Sequence, residues 1–187
     1  VLSRLGRAEH VLLLGDTALD GRRYAISRFA SRHDVQPDPY ELTWDELVWT
    51  LSQHEVRASK HDMWLWSPTR YRDGATRGRE GVESVSLFVA DIDDGTSGQD
   101  MCARLMMLGT SFLVVSTWSH TLAVPHLRCV LPLDEPIPTR LYDDVWQSFN
   151  TYLFSTHIDP QTKDPSRMFY GPSCSAEHLG EVFVGQL

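Results

Sequence analysis

From Ser84 onward the apolar pattern of this chain switches repeatedly between the period of a strand and the period of a helix, and that succession narrows the possible folds more than any other feature. Ser84 to Ile92 reads as a strand, with Val85, Leu87, Val89 and Ile92 among its apolar positions. Met101, Leu105 and Leu108 then recur at helical spacing over about 98–108. The runs "SFLVVST" (111–117) and "HLRCVLPL" (126–133) read as two buried strands joined by a polar loop. Thr139 is placed to cap an amphipathic helix whose Leu141, Val145, Phe149 and Leu153 fall four residues apart. After a loop rich in Asp and Pro, Arg167 to Tyr170 and Glu181 to Val184 read as short closing strands.

Strand, helix, strand, strand, helix, strand is the βαββαβ order of ferredoxin-like, RNA-recognition-type (RRM-like) folds. The expected class is α+β: an RRM-like core from about residue 84, its split sheet backed by two helices, packed with an N-terminal α/β lobe. In that lobe Arg23 to Ala30 reads as a strand, followed by a loop rich in Pro and Asp. Thr43-Trp-Asp-Glu46 has the capping-box pattern and opens a helix to about Gln53 that buries Leu47, Val48 and Leu51. Residues 56–80 read as irregular because Pro68, Gly74, Gly78 and several arginines interrupt them. At 187 residues the chain is expected to be one domain, 1–82 forming the N-terminal lobe and 83–187 the RRM-like lobe.

The composition, 42% hydrophobic and 22% charged, is that of a soluble globular protein. Apolar runs such as Val11-Leu-Leu-Leu14 are far too short to span a bilayer, and no secretory signal is legible at the start. A cytoplasmic protein without a membrane partner is expected, and the chain reads as part of something longer. Cys102, Cys129 and Cys174 lack CxxC spacing, which suits a reducing compartment, and no zinc is expected. The formal net charge of −8 runs against phosphate binding by bulk charge. Between residues 57 and 79, however, Lys60, Arg70, Arg72, Arg77 and Arg79 mingle with Trp64, Trp66 and Tyr71. That segment reads equally as a strand-binding groove or as a solvated loop with a few core aromatics.

Three groups of residues could carry chemistry. In "LFVADIDDG" (87–95) Asp91 and Asp93 stand two apart at a strand end, so their side chains leave the same face, which suits Mg²⁺ or Mn²⁺. Asp94-Gly95 then supplies a turn, and the whole acidic end also reads simply as a solvated turn. The second group is Ser119, His120, His126 and Arg128, in and just after the loop between two strands. The third is "IDPQTKDPSRMFYGPS", with Asp159, Asp164 and Arg167. Glycine-rich phosphate loops and hydrolase, zincin and kinase motifs are missing.

Taken together, in this order, the three groups resemble the motifs of the archaeo-eukaryotic primase superfamily, in its primase-polymerase branch found in phages, plasmids and other mobile elements. The resemblance covers roughly Thr43 to Ser173. It implies that Asp91, Asp93 and Asp159 are catalytic metal ligands for two Mg²⁺ or Mn²⁺ ions. It further implies that Ser119, His120, Arg128 and Arg167 meet the nucleotide, with His126 competing with His120, and Asp164 with Asp159, for one role each. Lys60, Arg70, Arg72, Arg77 and Arg79 would grip the template. The implied activity is a DNA primase-polymerase that joins nucleoside triphosphates on single-stranded DNA, with a fused or separate helicase as partner. Two other readings compete: a DxD metal-dependent nucleotide-sugar glycosyltransferase, and a non-catalytic RRM-like nucleic-acid-binding module.

Overall fold

The computed structural model describes residues 21–155 and 157–185; the apolar run 11–14 lies outside them. The chain is a mixed α/β fold with many strands and few helices, its order being β1 (Arg23–Phe29), β2 (Asp38–Thr43), α1 (Trp44–Ser52), β3 (Glu55–Val56), β4 (Leu65–Ser67) and β5 (Thr69–Tyr71). There follow β6 (Val82–Ile92), α2 (Gly98–Met106), β7 (Phe112–Ser116), β8 (Leu127–Pro138), α3 (Thr139–Ser148), β9 (Phe169–Tyr170), β10 (Ser173–Cys174) and β11 (Val182–Gly185). Among the described residues no helix is long and apolar enough to cross a membrane.

The larger sheet runs β11-β7-β8-β6-β5, each strand antiparallel to its neighbours. Because β8 lies antiparallel between them, β6 and β7 run parallel, joined by α2 as a split βαβ unit. The element order from β6 on is the one expected, but the sheet is not a bare four-stranded RRM-like sheet. β5, from the N-terminal part, pairs along the outer edge of β6, and β11 closes beside β7. A second antiparallel sheet, β2-β1-β4-β9, lies over the larger one, and β3 and β10 form a small parallel pair.

Strand alternation divides the core in two. Phe88, Ala90 and Ile92 of β6, with Cys129 and Leu131 of β8, face α2 and α3, where Met101, Leu105, Tyr142 and Trp146 meet them. Leu87, Val89 and Val130 face the other way, against Tyr24 and Ile26 of β1 and Trp44 and Leu47 of α1. Both faces are therefore buried over most of their length.

α1 starts as expected. The Thr43 hydroxyl accepts the Glu46 N–H at 3.3 Å while Glu46 Oε2 accepts the Thr43 N–H at 2.8 Å. Three expectations need correction. Residues 56–80 contain β4 and β5, short strands that pair with β1 and β9 in one case and with β6 in the other. Thr139 does not cap α3: Pro138 holds that position, and the Thr139 hydroxyl donates to the Val82 carbonyl at 2.8 Å. Arg167 precedes its strand, which starts at Phe169.

Candidate functional site

The apolar face shared with β1 and α1 ends abruptly. Continuing the alternation of Leu87 and Val89, Asp91 points to the same side, and its register partner on β8 is Arg128, which in turn lies opposite Val115 of β7. Both charged residues are 8% exposed. Arg128 Nε donates to Asp91 Oδ1 at 2.8 Å and Nη2 donates to Oδ2 at 3.1 Å, a bidentate pair. Its Nη1 donates to the Tyr170 carbonyl at 2.8 Å, and its guanidinium lies 4.6 Å from the centre of the Phe169 ring. β9 thus closes the second sheet over this arginine. Phe169 and Tyr170 were legible only as part of the third motif, because their contribution comes through a ring face and a backbone carbonyl.

A cavity of about 320 Å³ opens at this end of the sheets. Asp91, Asp93 and Asp159 line it, and so do Ser119, His126, Arg128, Arg167 and Lys60. Asp159 arrives from the far end of the sequence by backbone bonding: Ile158 bridges Ile92, and the Asp159 N–H donates to the Asp91 carbonyl at 2.9 Å. Asp159 Oδ1 accepts the Gln161 N–H at 3.0 Å, while the Asp93 carboxylate holds His126 Nδ1 at 2.8 Å. The Arg167 Nε is buried and has no hydrogen-bond partner among the described residues, although its residue borders the cavity. A buried guanidinium nitrogen of this kind suits an anion.

The two histidines separate clearly. His120 is 3% exposed and does not line the cavity. Its Nδ1 accepts the His126 N–H at 3.2 Å, so a neutral ring carries its proton on Nε2, which faces Glu181 Oε2 at 3.5 Å. Burial pushes the His120 imidazole below its ordinary value, against the charge of Glu181. His120 therefore supports the backbone that presents His126. Asp164 likewise sits outside the cavity lining, its carboxylate accepting the Ser166 N–H at 2.9 Å and hydroxyl at 2.8 Å. Asp94 accepts the Thr96 N–H at 2.9 Å and pairs with His157, and Gly95 follows at φ 86°. That is the turn expected after the DxD pair, where glycine's freedom at positive φ is needed.

The basic segment is dispersed. Arg70 pairs with Glu41 on β2, Arg79 with Asp143 on α3 at 2.9 Å, and Arg72 donates to the Glu80 carbonyl. The Arg77 backbone bonds to the Val35 carbonyl. Trp66 and Tyr71 are core residues, and Lys60 is the member that reaches the cavity, 5.8 Å from the Tyr170 ring centre.

Three carboxylates beside one cavity offer the oxygen donors that hard divalent cations prefer. Among the described residues, however, no three His, Cys, Asp or Glu side chains stand together as a coordination set. Asp91 gives both oxygens to Arg128, and Asp93 holds His126 Nδ1, so these carboxylates already have protein partners. The donor chemistry fits Mg²⁺ or Mn²⁺; coordination would require Asp91 to share or exchange its arginine.

The family model of the VapE N-terminal domain matches residues 67–184, most of the chain, and the chain belongs to that family. No curated protein matches it. Among solved structures it is similar to the AEP domain of the cyanophage S-2L primase-polymerase, at 15% identity and a TM-score of 0.46 over 86% of this chain and 79% of that one. It is also similar to the polymerase domain of Mycobacterium tuberculosis Ligase D in complex with DNA, at 16% identity and a TM-score of 0.39 over 80% of this chain and 68% of that one. At such values neither likeness carries a residue correspondence.

Proposed function

We propose that the chain is the catalytic domain of a DNA primase-polymerase, transferring nucleotides from nucleoside triphosphates onto a chain templated by single-stranded DNA. The observation that carries this reading is the meeting of three aspartates from two distant segments with four basic side chains around one cavity. Asp91, Asp93 and Asp159 would hold divalent Mg²⁺ or Mn²⁺, which supplies charge to activate an attacking hydroxyl and to stabilise the leaving pyrophosphate. Arg167, His126 and Lys60 bind and orient the triphosphate, their donors preorganised where negative charge builds up. Ser119 adds a hydroxyl donor at the same rim. Arg128 has spent three of its N–H donors on Asp91 and Tyr170, so its chief work is to fix the Asp91 carboxylate.

The test is incorporation of labelled deoxyribo- or ribonucleotides on a single-stranded DNA template with Mg²⁺ or Mn²⁺. Primer synthesis or extension is expected, and the Asp91→Ala/Asp93→Ala double variant should lose it. Absence of incorporation with either metal and either nucleotide class, or full activity in the double variant, would overturn the reading.

A further inference from the structure

α3 lies on the opposite face of the sheet from the cavity, yet the polar atoms of its two buried side chains, Tyr142 and Trp146, are spent on the loop that carries Asp159. Trp146 Nε1 donates to Thr162 Oγ1 at 3.0 Å, and the Tyr142 hydroxyl donates to the Thr162 carbonyl at 3.1 Å. Thr162 is fully buried. Its hydroxyl donates in turn to the Asp159 carbonyl at 2.8 Å, and its N–H donates to the same carbonyl at 3.0 Å. Past Ser148 the helix widens into π-type turns at Phe149–Leu153, where Asn150 Oδ1 accepts the Ile158 N–H at 3.3 Å. Such widened turns interrupt the regular helical ladder and concentrate at functional sites.

The apolar parts of Tyr142 and Trp146 would fill the core equally well without an O–H or an indole N–H. What requires the polar atoms is the loop, whose regular structure is a single short 3₁₀ turn at Pro160–Lys163. On its other side the loop is fastened to the end of β6 through Ile92 and the Asp91 carbonyl. The backbone of residues 158–162 is thus bolted between β6 and a helix on the far side of the sheet.

We infer that Thr162, steadied by Trp146 and Tyr142, is a positioning residue that sets where the Asp159 carboxylate stands beside Asp91. The inference rests on the proposed nucleotidyl transfer for its consequence, since displacement of a catalytic group by about 1 Å can cost about a hundredfold in rate. Thr162 touches no reacting atom; it acts through the Asp159 backbone.

Thr162→Val keeps the shape and deletes the hydroxyl, and Thr162→Ser keeps the hydroxyl. The readouts are amide hydrogen exchange along the chain, and kcat and nucleotide KM for primer extension. In Thr162→Val, exchange should quicken over residues 157–163 while β6 and β8 stay as in the parent. kcat should fall about ten- to a hundredfold with KM unchanged, and Thr162→Ser should restore both. Parental loop exchange in Thr162→Val overturns the inference, as does faster exchange spread evenly over β6 and β8. An inactive parent protein would sink the proposed activity, while loop exchange would still decide the positioning role. If Thr162→Val does not fold, Tyr142→Phe, which removes the bond to the Thr162 carbonyl, is read by the same criteria.

Discussion

The charged end of the cavity and the basic segment 57–79 are both rich in arginine, but different things hold their side chains. Arg128 is locked in the sheet, its ion pair with Asp91 having side-chain exposures of 10% and 12%. Arg70 with Glu41 and Arg79 with Asp143 are surface pairs, with side-chain exposures of 40% or more. They also face different parts of the molecule, β2 in one case and α3 in the other. Density of charge along the sequence therefore says less about a site than strand register does. One arginine placed opposite one aspartate on adjacent strands organises the cavity, whereas of five basic residues in a row of loops and short strands one, Lys60, reaches it.

The strongest way to break this contrast is Arg128→Ala. Removing the guanidinium leaves the Asp91 carboxylate buried and unpaired, with an expected loss of about 3–5 kcal/mol in unfolding free energy. Urea titration measures it, and a loss below about 1 kcal/mol would make the pair equivalent to a surface one. A smaller effect follows from two histidines that flank this end, His54 half-buried and His120 buried. Burial holds the His54 and His120 imidazoles below their ordinary value of 6.5, against the bond to the Ser116 carbonyl in one case and the charge of Glu181 in the other. In the unfolded chain both take up protons as the pH falls through about 6.5, while in the fold they do so only lower. Their contribution to stability is therefore complete above that value and is lost as the pH falls toward the depressed folded values. The urea midpoint should drop between about pH 7 and pH 5, and a His54→Gln variant should drop less. Smallest of all, Arg70→Ala should change stability by about 1 kcal/mol or less, and the same urea titration checks it.

The order of elements from β6 to α3 was legible because their apolar periods are long and clean, and because β6 ends in an acidic run. The Asp91–Asp93 face followed from strand alternation alone. β4 and β5 were not legible: three residues each, straddling Pro68, they are strands only because β1, β6 and β9 pair with them. The choice between His120 and His126 stayed open for the same reason. A loop histidine and a strand-entry histidine look alike until burial shows His120 packed behind the other, with Glu181 brought from 61 residues downstream. Tyr142 and Trp146 were hidden by a different cause. The helix pattern was read from Leu141, Val145, Phe149 and Leu153, whereas the buried positions of α3 are Tyr142 and Trp146.

The cavity lining sets three carboxylates against the three cations Lys60, Arg128 and Arg167, with His126 beside them. The chain as a whole carries a formal net charge of −8. An approaching polyanion is thus repelled by the molecule at large and meets no such surplus at this opening. Added salt screens the general repulsion as well as the local attraction. Encounter at the cavity should accordingly depend less steeply on ionic strength than it does for a protein that gathers nucleic acid onto a broad positive face.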